Sequence, residues 1–238
     1  MVAVHLNKQI DDIFSGYSKL ETPDERREHK VEGNMICEGF EELIRQYEGV
    51  LAIHYTRIVQ EGFGKINSIL EPQQINSFLQ ATKRYEDHEN YSDNTGLFIT
   101  HLIQNSHNAG NNKFTLNTKA LCKDIDGLGN YLKGKENNLL EIIVDGNIGR
   151  CCGQCAKNIG KLSISGNTGY RCGTGAESIG QIYIGGKTGG SSGDEAKYST
   201  FKTPNLETLQ MLKEWVPRDE NNKIYFIHPN SQEEEIKW

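Results

Sequence analysis

Four of the six cysteines in this 238-residue chain lie within 22 positions, a density at which thiols could hold a metal. They are Cys151, Cys152, Cys155 and Cys172. A Cys-x-x-Cys pair with further thiols nearby is typical of zinc sites and of iron–sulfur clusters. One interpretation of this cysteine group is therefore a zinc or iron–sulfur site in an accessory subunit of a redox enzyme.

A second interpretation makes two of these cysteines small core residues. Cys152 and Cys172 are 20 positions apart, which is also the period of the surrounding sequence. Stacked repeats would place their Cα and Cβ atoms about 4.8 Å apart, and that Cβ separation is long for a disulfide. An extended backbone would also point Cys151 away from Cys152. Free cysteine behaves as a small buried hydrophobe, and Ser192 would continue the column. A redox-active thiol is a third alternative.

Glycine recurs every 20 positions between residues 140 and 199. The three series are Gly146, Gly166 and Gly186; Gly149, Gly169 and Gly189; and Gly153, Gly173 and Gly193. The apolar pairs Ile142/Val144, Leu162/Ile164 and Ile182/Ile184 keep the same period. Residues two positions apart share one face of a strand, whereas glycine suits corners with a left-handed backbone. This pattern indicates a solenoid in which each repeat is one coil.

The repeat predicts a fold of the α+β class. We expect a single-stranded right-handed parallel β-helix with about 20 residues per coil. A helical N-terminal region (1–91) would precede it, and a C-terminal helix and strand (200–238) would cap it. The β-helix would occupy residues 96–199, with irregular first coils and regular repeats at 140–199.

Hydrophobic spacing predicts the flanking elements. Helices are expected at 36–59, from Glu71-Pro72 onwards and at 204–215. Residues 86–95 are expected to form a linker or turn, because they are polar and lack large aliphatic side chains. Strands are expected at 98–103, 113–117 and 223–228.

The repeat pattern G-N-x-G-x-x-x-G-x-x-A-x-x-I-G-x-I-x-I resembles the glycine-rich right-handed β-helix called the GXGXG domain. That domain is found at the C-terminus of the large chain of glutamate synthase, and it forms one of the chains of formylmethanofuran dehydrogenase. The matching positions are Gly146, Asn147, Gly149, Gly153 and Ala156 and their equivalents 20 residues later, with Lys187 replacing the asparagine in the third coil. The resemblance implies a structural and docking element, and it supplies no catalytic residue.

Charge and hydropathy exclude several classes of function. The net charge is -6, and residues 140–199 hold 5 acidic against 6 basic side chains, so we expect no nucleic-acid partner. No apolar run approaches the roughly 20 residues of a membrane span. The N-terminus also lacks a signal-peptide pattern, which predicts a cytoplasmic protein.

We therefore expect a non-catalytic cytoplasmic β-helix scaffold or protein-interaction module that docks a partner through its solenoid. A protein partner or self-association is expected, without a cofactor. The alternative is the metal- or iron–sulfur-binding accessory subunit that uses the cysteine group. No P-loop or zinc-protease motif is present, so an enzyme is not favoured and catalytic residues remain unknown. His101 and His107 are interpreted as surface or loop histidines.

Overall fold

The computed structural model describes residues 40–54 and 66–237, and these residues contain four α-helices and one β-sheet. The described residues all belong to one compact unit. The helices are α1 (Glu41–Leu51), α2 (Pro72–Ala81), α3 (Tyr91–Asn108) and α4 (Leu206–Trp215), with a 3-10 turn at Thr82–Tyr85. The strands are β1 (Lys113–Asn117), β2 (Leu140–Asp145), β3 (Ile159–Ile164), β4 (Ile182–Ile184), β5 (Thr200–Thr203), β6 (Lys223–Ile227) and β7 (Glu233–Glu235).

The seven strands lie side by side in the order of the sequence. All pairs are parallel up to β6, and β7 runs antiparallel to β6. The predicted apolar pairs are in register, since Ile142 lies beside Leu162 and Leu162 beside Ile182. These side chains are buried, and they form one wall of the core. The strands predicted at 113–117 and 223–228 are confirmed as β1 and β6.

The prediction of a single-stranded right-handed parallel β-helix is wrong. The described strands form one mostly parallel sheet in an α+β fold, whereas a β-helix has further sheets on the other faces of each coil. Between the strands lie glycine-rich segments, which we call the repeat turns (146–158, 166–178 and 186–198). Their contacts with one another include isolated bridges such as Ile148–Thr168, rather than strand ladders.

A left-handed backbone explains why the repeat turns do not extend into strands. The first repeat turn has positive φ at Cys151 (60°), Gly153 (65°), Cys155 (53°) and Asn158 (55°). The same four positions are left-handed in the next two repeat turns, at Arg171, Gly173, Gly175 and Ser178 and at Ser191, Gly193, Glu195 and Tyr198. Strands require negative φ, so each such residue interrupts the extended backbone. The period of 20 therefore repeats a strand followed by a turn.

Helices α1 and α2 follow the predicted pattern over a shorter range. Helix α1 ends at Leu51 rather than at residue 59, and the predicted positions 36–39 and 55–59 lie outside the described residues. Helix α2 begins at Pro72 as predicted, with a capping box between Glu71 and Gln74. The Tyr47 ring packs against Phe78 with ring centroids 5.8 Å apart, which joins the two helices in the core.

Helix α3 overturns two predictions, the linker at 86–95 and the strand at 98–103. It runs from Tyr91 to Asn108. Its polar start is buried because Asn94 Nδ2 donates hydrogen bonds to the carbonyls of Val50 and Ile53, both at 2.9 Å. Gly96 admits the Asp126 carbonyl, since a Cβ atom there would lie 1.8 Å from that oxygen. Tertiary contacts therefore outweigh the local preference for a turn.

Side chains of α2 and α3 form hydrogen bonds with the backbone of β1 and of the irregular first turn. The Asn117 N–H of β1 donates to Asn76 Oδ1 at 2.8 Å, and Gln80 Nε2 donates to the Asn117 carbonyl at 2.7 Å. Gln104 likewise accepts from the Lys133 N–H at 2.9 Å and donates to its carbonyl at 3.0 Å. Unpaired strand edges can associate with other chains, and these amides leave fewer backbone groups free at the end of β1 and in the first turn.

The last repeat turn forms hydrogen bonds with α4 and with the residues that follow it. Thr208 Oγ1 donates to the Gly186 carbonyl at 2.8 Å. Asn222 Nδ2 donates to the Ala196 carbonyl at 2.8 Å, and Asn222 Oδ1 accepts from the Ser199 N–H at 3.1 Å. Asn222 is buried, so one side chain satisfies two backbone groups that would otherwise be unpaired.

The acidic segment near the C-terminus is the outer strand β7. Its three glutamates are exposed, and each has a partner on β5, on β6 or directly after β6. Glu233 pairs with Lys202 at 2.7 Å, Glu234 with His228 at 2.8 Å and Glu235 with Tyr225 at 3.2 Å. A row of like charges on an outer strand opposes pairing with a second copy.

Replacing Asn222 with alanine should destabilise the fold. Asn222→Ala removes the side-chain partner of the Ala196 carbonyl and of the Ser199 N–H, and a buried unpaired group costs about 1–3 kcal/mol. Urea denaturation should show this loss, whereas the control Asn221→Ala changes an exposed neighbour and should have little effect. Equal stability of the two variants would contradict the proposed closure.

A second stability prediction concerns Gly169, where the backbones of two neighbouring turns lie close together. A Cβ atom there would lie 2.6 Å from the Arg150 nitrogen, so Gly169→Ala must push two turns apart, at about 1–3 kcal/mol. At Gly190 the atom nearest to an added Cβ would be 3.8 Å away, and Gly190→Ala should cost less than about 0.5 kcal/mol. Thermal unfolding of both variants checks this difference, and a Gly169 variant as stable as the Gly190 variant would refute it.

Candidate functional site

Cys152 and Cys172 lie inside the core on neighbouring repeat turns. Both are fully buried, and neither is in a disulfide. The hydrogen bond with the Cys172 thiol, together with burial, raises the pKa of Cys152. Ser192 continues the column, because its Oγ accepts from the Cys172 N–H at 3.3 Å. This placement agrees with their interpretation as small core residues.

Cys151 and Cys155 are half-buried at left-handed positions of the same turn. Burial raises the pKa of Cys151, although the charges of Arg171 and Arg150 act in the opposite direction. The Cys155 thiol lies against the next turn, since a Cβ atom at Gly175 would be 3.2 Å from its sulfur. Neither side chain shares the buried position of Cys152 and Cys172.

The predicted metal ligands are not gathered into one set. Within residues 40–54 and 66–237, no group of three or more histidine, cysteine or carboxylate side chains is placed to hold a metal ion. The zinc or iron–sulfur site at Cys151, Cys152, Cys155 and Cys172 stays a prediction, and nothing in the geometry adds to it.

Alkylation should separate the two interpretations of the cysteines. Iodoacetamide should modify Cys151 and Cys155 in the native protein but reach Cys152 and Cys172 only after unfolding, because those thiols are buried. Peptide mapping by mass spectrometry gives the order of modification. Equal protection of all four thiols, relieved by a chelator, would instead support the metal site.

An anchor that the sequence analysis missed joins the first repeat turn to α3. Arg150 Nε donates to Asp126 Oδ2 at 2.8 Å, and Arg150 Nη2 contacts Asp93 at 3.2 Å. Burial raises the pKa of Asp126, while its hydrogen bonds with Arg150 lower it. Gly149 makes room for this carboxylate, because a Cβ there would lie 1.8 Å from Asp126 Oδ1. The cluster holds structure in place rather than presenting a reactive group.

The two histidines differ from their predicted surface or loop positions. His107 is fully buried in α3, where its Nδ1 donates to the Asn111 carbonyl at 2.9 Å. His101 is half-buried in the same helix, and its Nε2 donates to the Ile66 carbonyl at 3.1 Å. Both side chains hold α3 against neighbouring segments, so the prediction of surface or loop positions is wrong.

Charged residues form a column along the outside of the turns. Parallel bridges join Lys133 to Lys157, Lys157 to Glu177 and Glu177 to Lys197. We call these four residues the lysine column. The three lysines are exposed, and Glu177 forms an ion pair with Lys157. The charges of its four side chains therefore sum to +2, on a chain whose net charge is -6.

Three tyrosines are among the most exposed large side chains of the described residues. Tyr131 is 59% exposed, Tyr170 67% and Tyr198 58%. Tyr131 lies two residues before Lys133 and Tyr198 directly after Lys197, so they stand near the two ends of the lysine column. Both have a left-handed backbone, with φ of 56° and 53°. For bulky residues that conformation is rare, and at Tyr198 it repeats the left-handed position of Asn158 and Ser178 in the preceding turns.

Sequence periodicity alone could not reveal the lysine column. Lys157, Glu177 and Lys197 follow the period of 20, but Lys133 lies 24 residues before Lys157 and belongs to the irregular first turn. The exposed tyrosines likewise occupy three different positions of the repeat, so no periodic signal links them.

No family model, curated protein or solved structure matches this chain. The resemblance to the GXGXG domain stays a prediction. In the described segments, the helices are too short or too polar to cross a bilayer.

Proposed function

We propose that this chain is a non-catalytic, cytoplasmic protein-interaction module that binds a protein partner through the outer surface of its turns. The observation that carries this proposal is the exposure of Tyr131, Tyr170 and Tyr198 on turns of fixed geometry. Tyrosine is enriched in protein interfaces and among the residues that contribute most of the binding energy. The docking role implied by the GXGXG resemblance belongs to the same class of function.

Backbone hydrogen bonds hold the tyrosines in place before any partner binds. The Tyr131 N–H donates to the Gln154 carbonyl at 2.8 Å, and the Tyr170 carbonyl accepts from the Cys151 N–H at 2.7 Å. Next to Tyr198, the Lys197 N–H donates to the Ala176 carbonyl at 2.8 Å. A surface whose backbone is already fixed loses less conformational entropy on binding, which favours affinity.

One edge of the sheet is partly occupied, and the other is unsuited to binding a partner strand. Asn76 and Gln80 occupy the backbone groups of Asn117 in β1. At the opposite edge, the exposed glutamates of β7 would repel an acidic strand and would be buried by any added strand. Strand addition needs a free edge, so we assign partner binding to the turns instead.

Site-specific photocrosslinking tests this function. p-Benzoylphenylalanine in place of Tyr131 or Tyr198 should give one discrete protein adduct in an extract of the source cells. The control is Ser231, which is also exposed and left-handed, with φ of 64°, but lies between β6 and β7. Addition of the unlabelled native chain should compete for the adduct, whereas a Tyr131→Ser/Tyr198→Ser chain should compete weakly. Adducts of equal yield from position 231, or none from positions 131 and 198, would refute the proposal.

A further inference from the structure

The lysine column presents three ammonium groups near the exposed tyrosines, at its first, second and fourth positions, with Glu177 at the third. Neighbouring positions lie about 4.8 Å apart, the spacing of paired strands, so the four positions span about 14 Å. Glu177 raises the pKa of Lys157, and Lys157 lowers the pKa of Glu177, so both are charged at neutral pH. Lys133 and Lys197 supply the remaining positive charge at the two ends.

We infer that the lysine column binds an extended acidic segment of the protein partner, an inference that rests on the proposed function. Charge complementarity supports this ligand, because the column is positive on an otherwise acidic chain. Alternate side chains of an extended peptide are about 6.8 Å apart, so three acidic residues at alternate positions span about 14 Å. Tyr131 and Tyr198 would then contact apolar residues that flank the acidic ones.

The geometry of the column is fixed from inside the fold. Gln104 holds the backbone of Lys133 through two hydrogen bonds, at 2.9 and 3.0 Å. The Lys157 N–H donates to the Leu132 carbonyl at 2.8 Å, which keeps Lys157 in register with Lys133. The lysine side chains remain exposed, so a ligand can reach them without opening the fold.

A peptide fits this surface better than a nucleic acid. A phosphate backbone would continue beyond the column, whose four positions span only about 14 Å. Nucleic-acid surfaces present basic side chains over a longer path with few acidic interruptions. A short acidic segment needs only the four positions that the column provides.

Binding of a designed peptide tests the inference. The probe is a labelled peptide of alternating glutamate and serine with tyrosine at each end, followed by fluorescence anisotropy at low salt. Lys133→Gln/Lys157→Gln/Lys197→Gln should weaken binding by about tenfold or more, since each exposed ion pair contributes modestly. The matched control Lys113→Gln/Lys161→Gln/Lys223→Gln removes the same charge from the strands, and it should change the affinity by less than about twofold. Glu177→Gln should tighten binding, because it removes the carboxylate that competes with the ligand.

Four outcomes would overturn the inference. These are equal weakening in the two triple variants, equal binding of a peptide with glutamine in place of glutamate, weaker binding by Glu177→Gln, and tighter binding of an oligothymidylate than of the peptide. Circular dichroism of each variant verifies that the fold is retained. If the peptide fails to bind while positions 131 and 198 still give the adduct, the acidic ligand is excluded and the interaction module stands.

Discussion

The structure depends on one requirement, that the backbone of each repeat forms hydrogen bonds with the repeats beside it. The Gly173 N–H donates to the Cys152 carbonyl, and the Gly193 N–H donates to the Cys172 carbonyl, both at 2.8 Å. Such contacts bring the backbones so close that a Cβ atom at Gly169 would overlap the preceding turn. Glycine therefore recurs because close approach, rather than flexibility, is needed at this position. The helices and β7 complete the series where the repeats end.

The register between neighbouring repeats determines which side chains of this region are buried and which are exposed. The alignment that places Cys152 against Cys172 in the core also places Lys157 beside Glu177 outside. Consequently the cysteine group, which first suggests metal chemistry, is in part a result of repetition. The lysine column has the same origin, but it is exposed and charged. The repeat therefore buries the thiols of Cys152 and Cys172 in the core and exposes the lysines of the column to solvent.

The sequence was sufficient wherever the repeat or a strong apolar pattern decided the structure. The strands with paired apolar residues, the start of α2 and the helix α4 followed from such patterns. Helix α3 could not be predicted in this way, because Asn94 and Gly96 fit the helix through contacts with segments distant in sequence. The left-handed backbone at Cys151 and Tyr198 could not be predicted from the sequence either, since these residue types rarely adopt it. Because this backbone interrupts the extended segments, the structure has one sheet with turns instead of the expected β-helix.

Closure of the two ends by separate elements leaves the number of repeats free to vary. Gln104 and Asn76 hold the first turn and strand, whereas Asn222 holds the last turn. A duplicated unit of 20 residues inserted between them would meet the same neighbours as the existing units, and neither end would need to change. Such an insertion would lengthen the outer surface by one position. The architecture therefore allows the outer surface of the turns to lengthen or shorten by whole repeats while the elements at both ends stay the same.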